Sequence, residues 1–189
     1  PLWLVLAVAI FLEDRGPIFY RQGRVGLSGK PFMLLKFRSM IRDAERETGP
    51  VLAEERDPRV TRVGRVLRAT AMDELPQLVN ILMGHMSFVG PRPERPEFVR
   101  ETLQDCPEYG WRHLVRPGLT GIAQLRGDYD TPPREKLVYD LEYVRTASLA
   151  RDMAMILRSF AVTARGQWQL RSRSQPRAQD APGRSWFSG

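Results

Sequence analysis

Apolar positions along this chain recur with different periods, and each period predicts a different element. The chain opens with twelve uncharged residues, Pro1 to Leu12, apolar on every side and including Trp3. A segment apolar all round belongs in a core or in lipid, and twelve residues fall short of the roughly 20 that cross a bilayer. Three readings follow: a buried core helix, the second half of a membrane helix, or a re-entrant segment. Trp3 and the unbroken apolarity favour lipid contact. Glu13 to Pro17 is a polar Gly-Pro turn. Residues 18–20 and 32–35 read as short strands, with residues 23–30 as the glycine-rich loop of a hairpin. Residues 39–47 are charged and helical in pattern. Residues 48–60, with Gly49-Pro50 and Asp57-Pro58, read as an exposed loop. Leu75, Leu78, Val79 and Leu82 then recur at i, i+3, i+4 and i+7, the stripe of one helix. Asp73 stands at its N-cap and Pro76 in its first turn, where no N–H is missed. Residues 96–106 and 109–114 read as short helices, 115–121 as a turn, and 122–125 as strand-like. Leu137, Val138, Leu141 and Val144 share one face of a helix over 134–144, with Asp140 and Tyr143 projecting elsewhere. Residues 150–162 form an apolar helix, suited to a core or to a membrane interface. From Gly166 the composition turns to Arg, Ser, Pro and Gly, a disordered basic tail.

Charge changes the picture. The net charge is +7 and the pI about 10.2, almost wholly from arginine, with Lys30, Lys36 and Lys136 the only lysines. Arginine is the fork-shaped partner of phosphate and carboxylate, so the ligand is expected to be anionic: nucleic acid, a nucleotide or an acidic membrane surface. Arg21, Arg24, Lys30, Lys36 and Arg38 cluster about the hairpin, as a solvated face or as a phosphate or lipid-headgroup surface. Arginines at 59, 62, 65 and 68 gather on one side of a helix and lead into Asp73-Glu74. A carboxylate at a helix start sees the positive end of the dipole and stays ionised, and a phosphate there meets free backbone N–H groups and Arg68. Asp-Glu at a helix start is also ordinary capping chemistry. Pro91-Arg92-Pro93 follows an apolar strand, and the two prolines hold an arginine with little entropy left to lose on binding. The single Cys106 excludes an intrachain disulfide, and His85 and His113 alone make no histidine metal cluster. An alternative class remains in view, because residues 59–82 in a chain of this pI could form a helix-turn-helix that binds nucleic acid.

Three blocks together point further. They are GPIFYRQGRVG from Gly16 with LKFRSM from Leu35; MDELPQLVN from Met72 with MSFVGPRPE from Met86; and RPGLTG from Arg116 with KLVYDLEYV from Lys136. With these motifs, residues 1–165 resemble the bacterial sugar transferases, the monotopic polyprenyl-phosphate phosphoglycosyl transferases. The resemblance implies an α+β, mostly helical fold: a small β-hairpin plus several amphipathic helices packed at a membrane interface. It divides the chain into a partial re-entrant membrane helix (1–12), a catalytic domain (13–165) and the basic tail (166–189). It also implies transfer of a sugar 1-phosphate from a UDP-sugar to undecaprenyl phosphate, with release of UMP, at the cytoplasmic face of the bacterial inner membrane. Such transfer is the first step of exopolysaccharide, O-antigen or glycoconjugate assembly. In the family the Asp of the Asp-Glu pair is the nucleophile, here Asp73, and forms a covalent phospho-sugar. Glu74 is expected to help hold Mg²⁺, and Pro91, Arg92 and Pro93 to meet the nucleotide. Lys36, Arg38, Arg68 and Asp140 match further family positions. No nucleic-acid partner is implied, and a homo-oligomer is compatible with this reading.

Overall fold

A computed structural model describes residues 1–46, 49, 57–127 and 131–164. The basic tail and most of the 48–60 loop lie outside these residues. Helix α1, Leu2–Asp14, ends where Arg15 turns left-handed (φ 51°) and its N–H bonds to the Phe11 carbonyl at 2.7 Å. Leu4, Val5, Val8, Phe11 and Leu12 are exposed, while Ile10 is buried against Phe37 and Leu67. Trp3 meets the edge of Phe37 at 5.5 Å. Among the described residues no helix is long and apolar enough to cross a membrane.

Strands β1, Phe19–Val25, and β2, Pro31–Phe37, form an antiparallel hairpin from Phe19↔Phe37 to Val25↔Pro31. The loop is shorter than the sequence pattern predicts. Gly23 is a strand residue opposite Met33, and the turn closes at Gly26 N–H to the Lys30 carbonyl, 2.8 Å. The helix expected over 39–47 does not form. Met40 instead makes an antiparallel bridge to Val60, and residues 42–46 are turns. That bridge ties both ends of the intervening loop to the body.

Helix α2, Arg62–Ala69, has a complete N-terminal cap. The Thr61 hydroxyl accepts from Gly64 N–H, and the Glu13 carboxylate accepts from Arg62 N–H (2.6 Å) and Val63 N–H (3.0 Å). With Thr61 N–H donating to the Ser39 carbonyl at 3.1 Å, all four orphan donors of the helix start are satisfied, two of them by the end of α1. After α2, Ala71 turns left-handed (φ 54°), and the chain makes a 3₁₀ turn at Met72–Glu74 before helix α3, Gln77–Leu82. The predicted stripe of α3 is therefore only partly inward: Leu75 packs against the cluster of Ile10, Phe37 and Leu67, and polar residues take the deepest positions. Gln77 and Asn80 are buried, whereas Leu82 is 87% exposed. The reason lies in β2, whose free edge needs partners. Asn80 Oδ1 accepts from Leu35 N–H (2.9 Å) and its Nδ2 donates to the Met33 carbonyl (2.8 Å), adding one amide rung to the hairpin. With its polar side sunk into the hairpin, α3 has no free base-reading face of the kind a helix-turn-helix presents.

Strand β3, Ser87–Val89, pairs in parallel with β4, Gly118–Thr120, across an excursion through α4, Pro96–Asp105, and a 3₁₀ segment, Pro107–Leu114. The two strands approach closely. A Cβ at Gly118 would lie 2.1 Å from Gly90 N, and one at Gly90 would lie 2.4 Å from the Arg116 carbonyl oxygen. Helices α5, Ile122–Arg126, α6, Pro133–Thr146, and α7, Leu149–Ala164, complete the fold. Residues 122–125, expected as a strand, are helical; so short an apolar run carries no decisive period. In α6 the buried residues are Leu137, Asp140 and Tyr143, and Val138 is exposed, so the face inferred from hydrophobicity is rotated. Met155 and Ile156 of α7 pack on Val89, Ile122 and Tyr143, while Leu149, Met153, Leu157 and Phe160 stay exposed. The architecture is α+β and mostly helical, as the sequence implies.

Candidate active site

The 3₁₀ turn holding Asp73 and Glu74 is pressed against the end of β2. Asp73 is therefore not the N-cap of a long helix, because α3 begins only at Gln77. Both carboxylates are buried. Lys36 reaches them from β2, with Nζ 2.7 Å from Glu74 Oε1 and 4.0 Å from Asp73 Oδ2. Arg92 arrives from the opposite side and places Nη2 2.8 Å from the same Glu74 oxygen. Four of the residues singled out in the sequence thus meet at one point.

The two carboxylates differ in environment. Burial pushes Asp73 above the ordinary carboxylate range; Lys36 opposes this and Glu74 adds to it, with smaller relief from Arg68 and Arg92. Burial would raise Glu74 too, but Arg92 and Lys36, through charge and hydrogen bonds, outweigh it and hold that carboxyl well below its usual value. Glu74 in turn raises Arg92. Glu74 is a fixed counter-ion at the centre of two cations. Asp73 has no cation closer than Lys36 at 4.0 Å among its ion pairs and carries the less stabilised charge, which suits a nucleophile better than a structural anion.

The neighbouring positions sort themselves by geometry. Arg68 Nε donates to Ser39 Oγ at 3.0 Å, close enough for its charge to be felt at Asp73. Arg38 turns away from the dyad and pairs with Asp14 at the end of α1. Pro91 and Pro93 are buried on either side of Arg92, and their carbonyls accept from Gly118 N–H (2.9 Å) and Arg24 Nη1 (3.0 Å). Asp140 does not touch the dyad. It binds Arg112 Nε at 2.9 Å and Nη2 at 2.8 Å, and Arg112 Nη2 also donates to the Arg92 carbonyl at 2.8 Å. Burial works against the Arg112 charge, and Asp140 outweighs it, holding the guanidinium above its usual value. Arg112, Gln77 and Asn80 are among the buried polar residues that the sequence reading passed over. Arg112 sits in an otherwise unremarked aromatic segment, and the two amides sit on a helix judged by its leucines.

A divalent cation can be tested against this donor set. Asp73 and Glu74 offer hard carboxylate oxygens, and one Glu74 oxygen is already shared by two cations. Among the described residues no group of three or more acidic, histidine or cysteine side chains could hold a metal. The set fits a cation such as Mg²⁺, which takes one or two carboxylates and completes its shell with phosphate oxygens and water.

Comparison with known proteins places this geometry. The family model described as bacterial sugar transferase matches residues 1–166. The chain belongs to that family. It is 48% identical over 166 residues to a UDP-glucose:undecaprenyl-phosphate glucose-1-phosphate transferase of Caulobacter vibrioides, covering 84% of this chain and 61% of that protein. It is 42% identical over 171 residues to a UDP-N-acetylgalactosamine-undecaprenyl-phosphate N-acetylgalactosaminephosphotransferase of Aeromonas hydrophila, covering 88% of this chain and 40% of that protein. An exopolysaccharide production protein of Rhizobium leguminosarum bv. phaseoli is 42% identical over 166 residues, 82% of each chain. The chain thus spans less than two thirds of the first two relatives.

Proposed function

We propose that this chain transfers a sugar 1-phosphate from a UDP-sugar to undecaprenyl phosphate through a covalent phospho-sugar on Asp73. The observation that carries the reading is the asymmetric dyad: a buried carboxylate with a distant cation beside a second carboxylate neutralised by Lys36 and Arg92. An Asp73 oxygen attacks the phosphorus that bears the sugar. The Asp73 O–P bond forms as the P–O bond to UMP breaks, and UMP leaves with the electron pair. An oxygen of undecaprenyl phosphate then attacks the same phosphorus. The Asp73 O–P bond breaks, the carboxylate returns, and undecaprenyl diphospho-sugar is released. Lys36 and Arg92 stand where the added negative charge is greatest, and the charge on Arg92 is kept in place by its flanking prolines. Glu74 would hold Mg²⁺ together with the donor diphosphate, and the ion would screen phosphate charge from the attacking carboxylate.

Several features support the setting. Two relatives are named for UDP-sugar donors and undecaprenyl phosphate, and a third for exopolysaccharide production. The exposed apolar residues of α1 suit a segment that enters one leaflet and leaves by the same side. On this reading the chain works at the cytoplasmic face of the bacterial inner membrane, where nucleotide sugars are made. The test is UMP release in membranes from a panel of UDP-sugars. Asp73→Asn should abolish it, and a phospho-sugar adduct should accumulate on the unsubstituted chain when undecaprenyl phosphate is withheld. Near-normal UMP release by Asp73→Asn would refute the mechanism.

A further inference from the structure

Beneath Arg92 lies a cavity of about 10 Å³ lined by Arg24, Leu34, Gln77, Arg92 and Pro93. It has room for a single water or one oxygen of a larger group. Two donors there are buried without a hydrogen-bond partner among the described residues: Gln77 Nε2 and Arg24 Nε. Gln77 is only 2% exposed, so bulk water does not satisfy it. A buried amide donor left unpaired costs about 1–3 kcal/mol, and two in one cavity are a debt that a fold removes unless something uses them.

The charges in the same place agree. Arg24 is held by the Pro93 carbonyl at 3.0 Å and has Glu94 at 3.6 Å. Burial, and next the nearby Arg92 charge, lower it to about 10. The nearest carboxylate to Arg92, Glu74, is already divided between two cations. The cavity therefore has N–H donors from Arg24, Gln77 and Arg92 about it, with Leu34 and Pro93 as dry walls. A neutral oxygen could accept from both N–H groups; an anionic one would do so through stronger, charge-assisted bonds and would also relieve the repulsion between the Arg24 and Arg92 guanidinium groups.

We infer that Gln77 Nε2 and Arg24 Nε bind one phosphoryl oxygen of a substrate, forming the floor of the phosphate site beneath Arg92. The assignment rests on the transferase reading and identifies which further residues grip the phosphate. Gln77 lies three residues beyond Glu74, on the first turn of α3, so its amide is fixed relative to the dyad by the rung that Asn80 makes with β2. The oxygen could belong to the nucleotide or to the polyprenyl phosphate, since both carry the same group.

The experiment uses the full chain in detergent micelles with Asp73→Asn as background, so that substrates bind without turnover. Dissociation constants are measured for UDP and, separately, for undecaprenyl phosphate in mixed micelles, with and without Gln77→Leu. Loss of a charge-assisted hydrogen bond should weaken the affected ligand about tenfold to a hundredfold. The ligand-free Tm should hold or rise, because an unpaired buried donor has been removed. Gln77→Glu, which keeps the shape and repels the oxygen, should weaken the same ligand at least as much. Weakening of UDP alone assigns the oxygen to the nucleotide, of the lipid alone to the acceptor, and of both to each in turn. Unchanged constants for both ligands overturn the proposal and leave the transferase reading standing. Failure of the Asp73→Asn chain to bind either ligand at all overturns both.

Discussion

Asn80 offers the sharpest test of how the dyad is held. Its amide replaces a strand, accepting from Leu35 N–H and donating to the Met33 carbonyl on β2, one residue from Lys36. Asn80→Ala removes two hydrogen bonds worth about 1 kcal/mol each and leaves two backbone groups at a part-buried edge, for a total near 3 kcal/mol. A domain of this size loses about 2–4 °C of Tm per kcal/mol, so the fall should be roughly 6–12 °C. Asn80→Asp separates the two bonds. The introduced carboxyl can still accept from Leu35 N–H, but when ionised it sets an oxygen against the Met33 carbonyl oxygen. Burial and that repulsion raise its folded-state pKa above the unfolded value of about 3.9. The contribution is then fully present below about pH 3.9 and is lost as pH rises through the folded value. Thermal unfolding followed by circular dichroism from pH 3.5 to 8 should show Asn80→Asp close to the unsubstituted protein in acid and close to Asn80→Ala at neutrality. UMP release, assayed well below both midpoints, should fall with the loosening of Lys36. An Asn80→Asp protein whose Tm difference from the unsubstituted chain is flat across that range would refute the amide-rung account, as would an Asn80→Ala cost below about 1 kcal/mol.

Other outcomes follow from the same geometry. Asp73 has a folded-state pKa raised above 3.8, so its ionisation costs stability as pH rises through the folded value. Asp73→Asn should therefore raise Tm at pH 7 while ending turnover, and the gain should vanish below about pH 3.8; equal Tm values at pH 7 would contradict it. Ala71 is left-handed at the entrance to the dyad. Ala71→Val should cost roughly 1–3 kcal/mol in urea unfolding, since a β-branched residue tolerates that conformation poorly. Asp140→Asn strands the buried Arg112 cation and should cost about 3–5 kcal/mol. Arg112→Met with Asp140→Leu should recover most of that stability but not UMP release, because the Arg92 carbonyl loses its donor.

The charged residues that meet in space were legible in the sequence where they lay in contiguous motifs. Asp73-Glu74, Lys36 and Arg92 converge, and the arginine reaches Glu74 from between two buried prolines. Burial was less legible. Reading inward-facing positions from hydrophobicity rests on apolar side chains facing the core, and α3 and α6 break that assumption. Asn80 and Asp140 are buried because each answers a polar group, the edge of β2 and the guanidinium of Arg112, while Gln77 is buried at the cavity beneath Arg92. The partners of Asn80 and Asp140 come from 28 to 47 residues away in sequence, beyond any helical period. The strand expected at 122–125 failed for a simpler reason, since four residues fit either a helix turn or a strand. Arg38 illustrates a different limit: its motif is legible, but nothing in it says that the guanidinium turns toward Asp14.

The close approach of Gly90 and Gly118 bears on how this protein could be re-engineered. The segment that presents Arg92 meets its neighbour there main chain to main chain, with no room for a side chain between. On the transferase reading, a combinatorial library meant to alter the accepted sugar would have to spare these two positions, because even alanine at 90 or 118 would push apart the main chain that leads into Arg92. Selection for a new sugar is therefore expected to leave those two codons untouched.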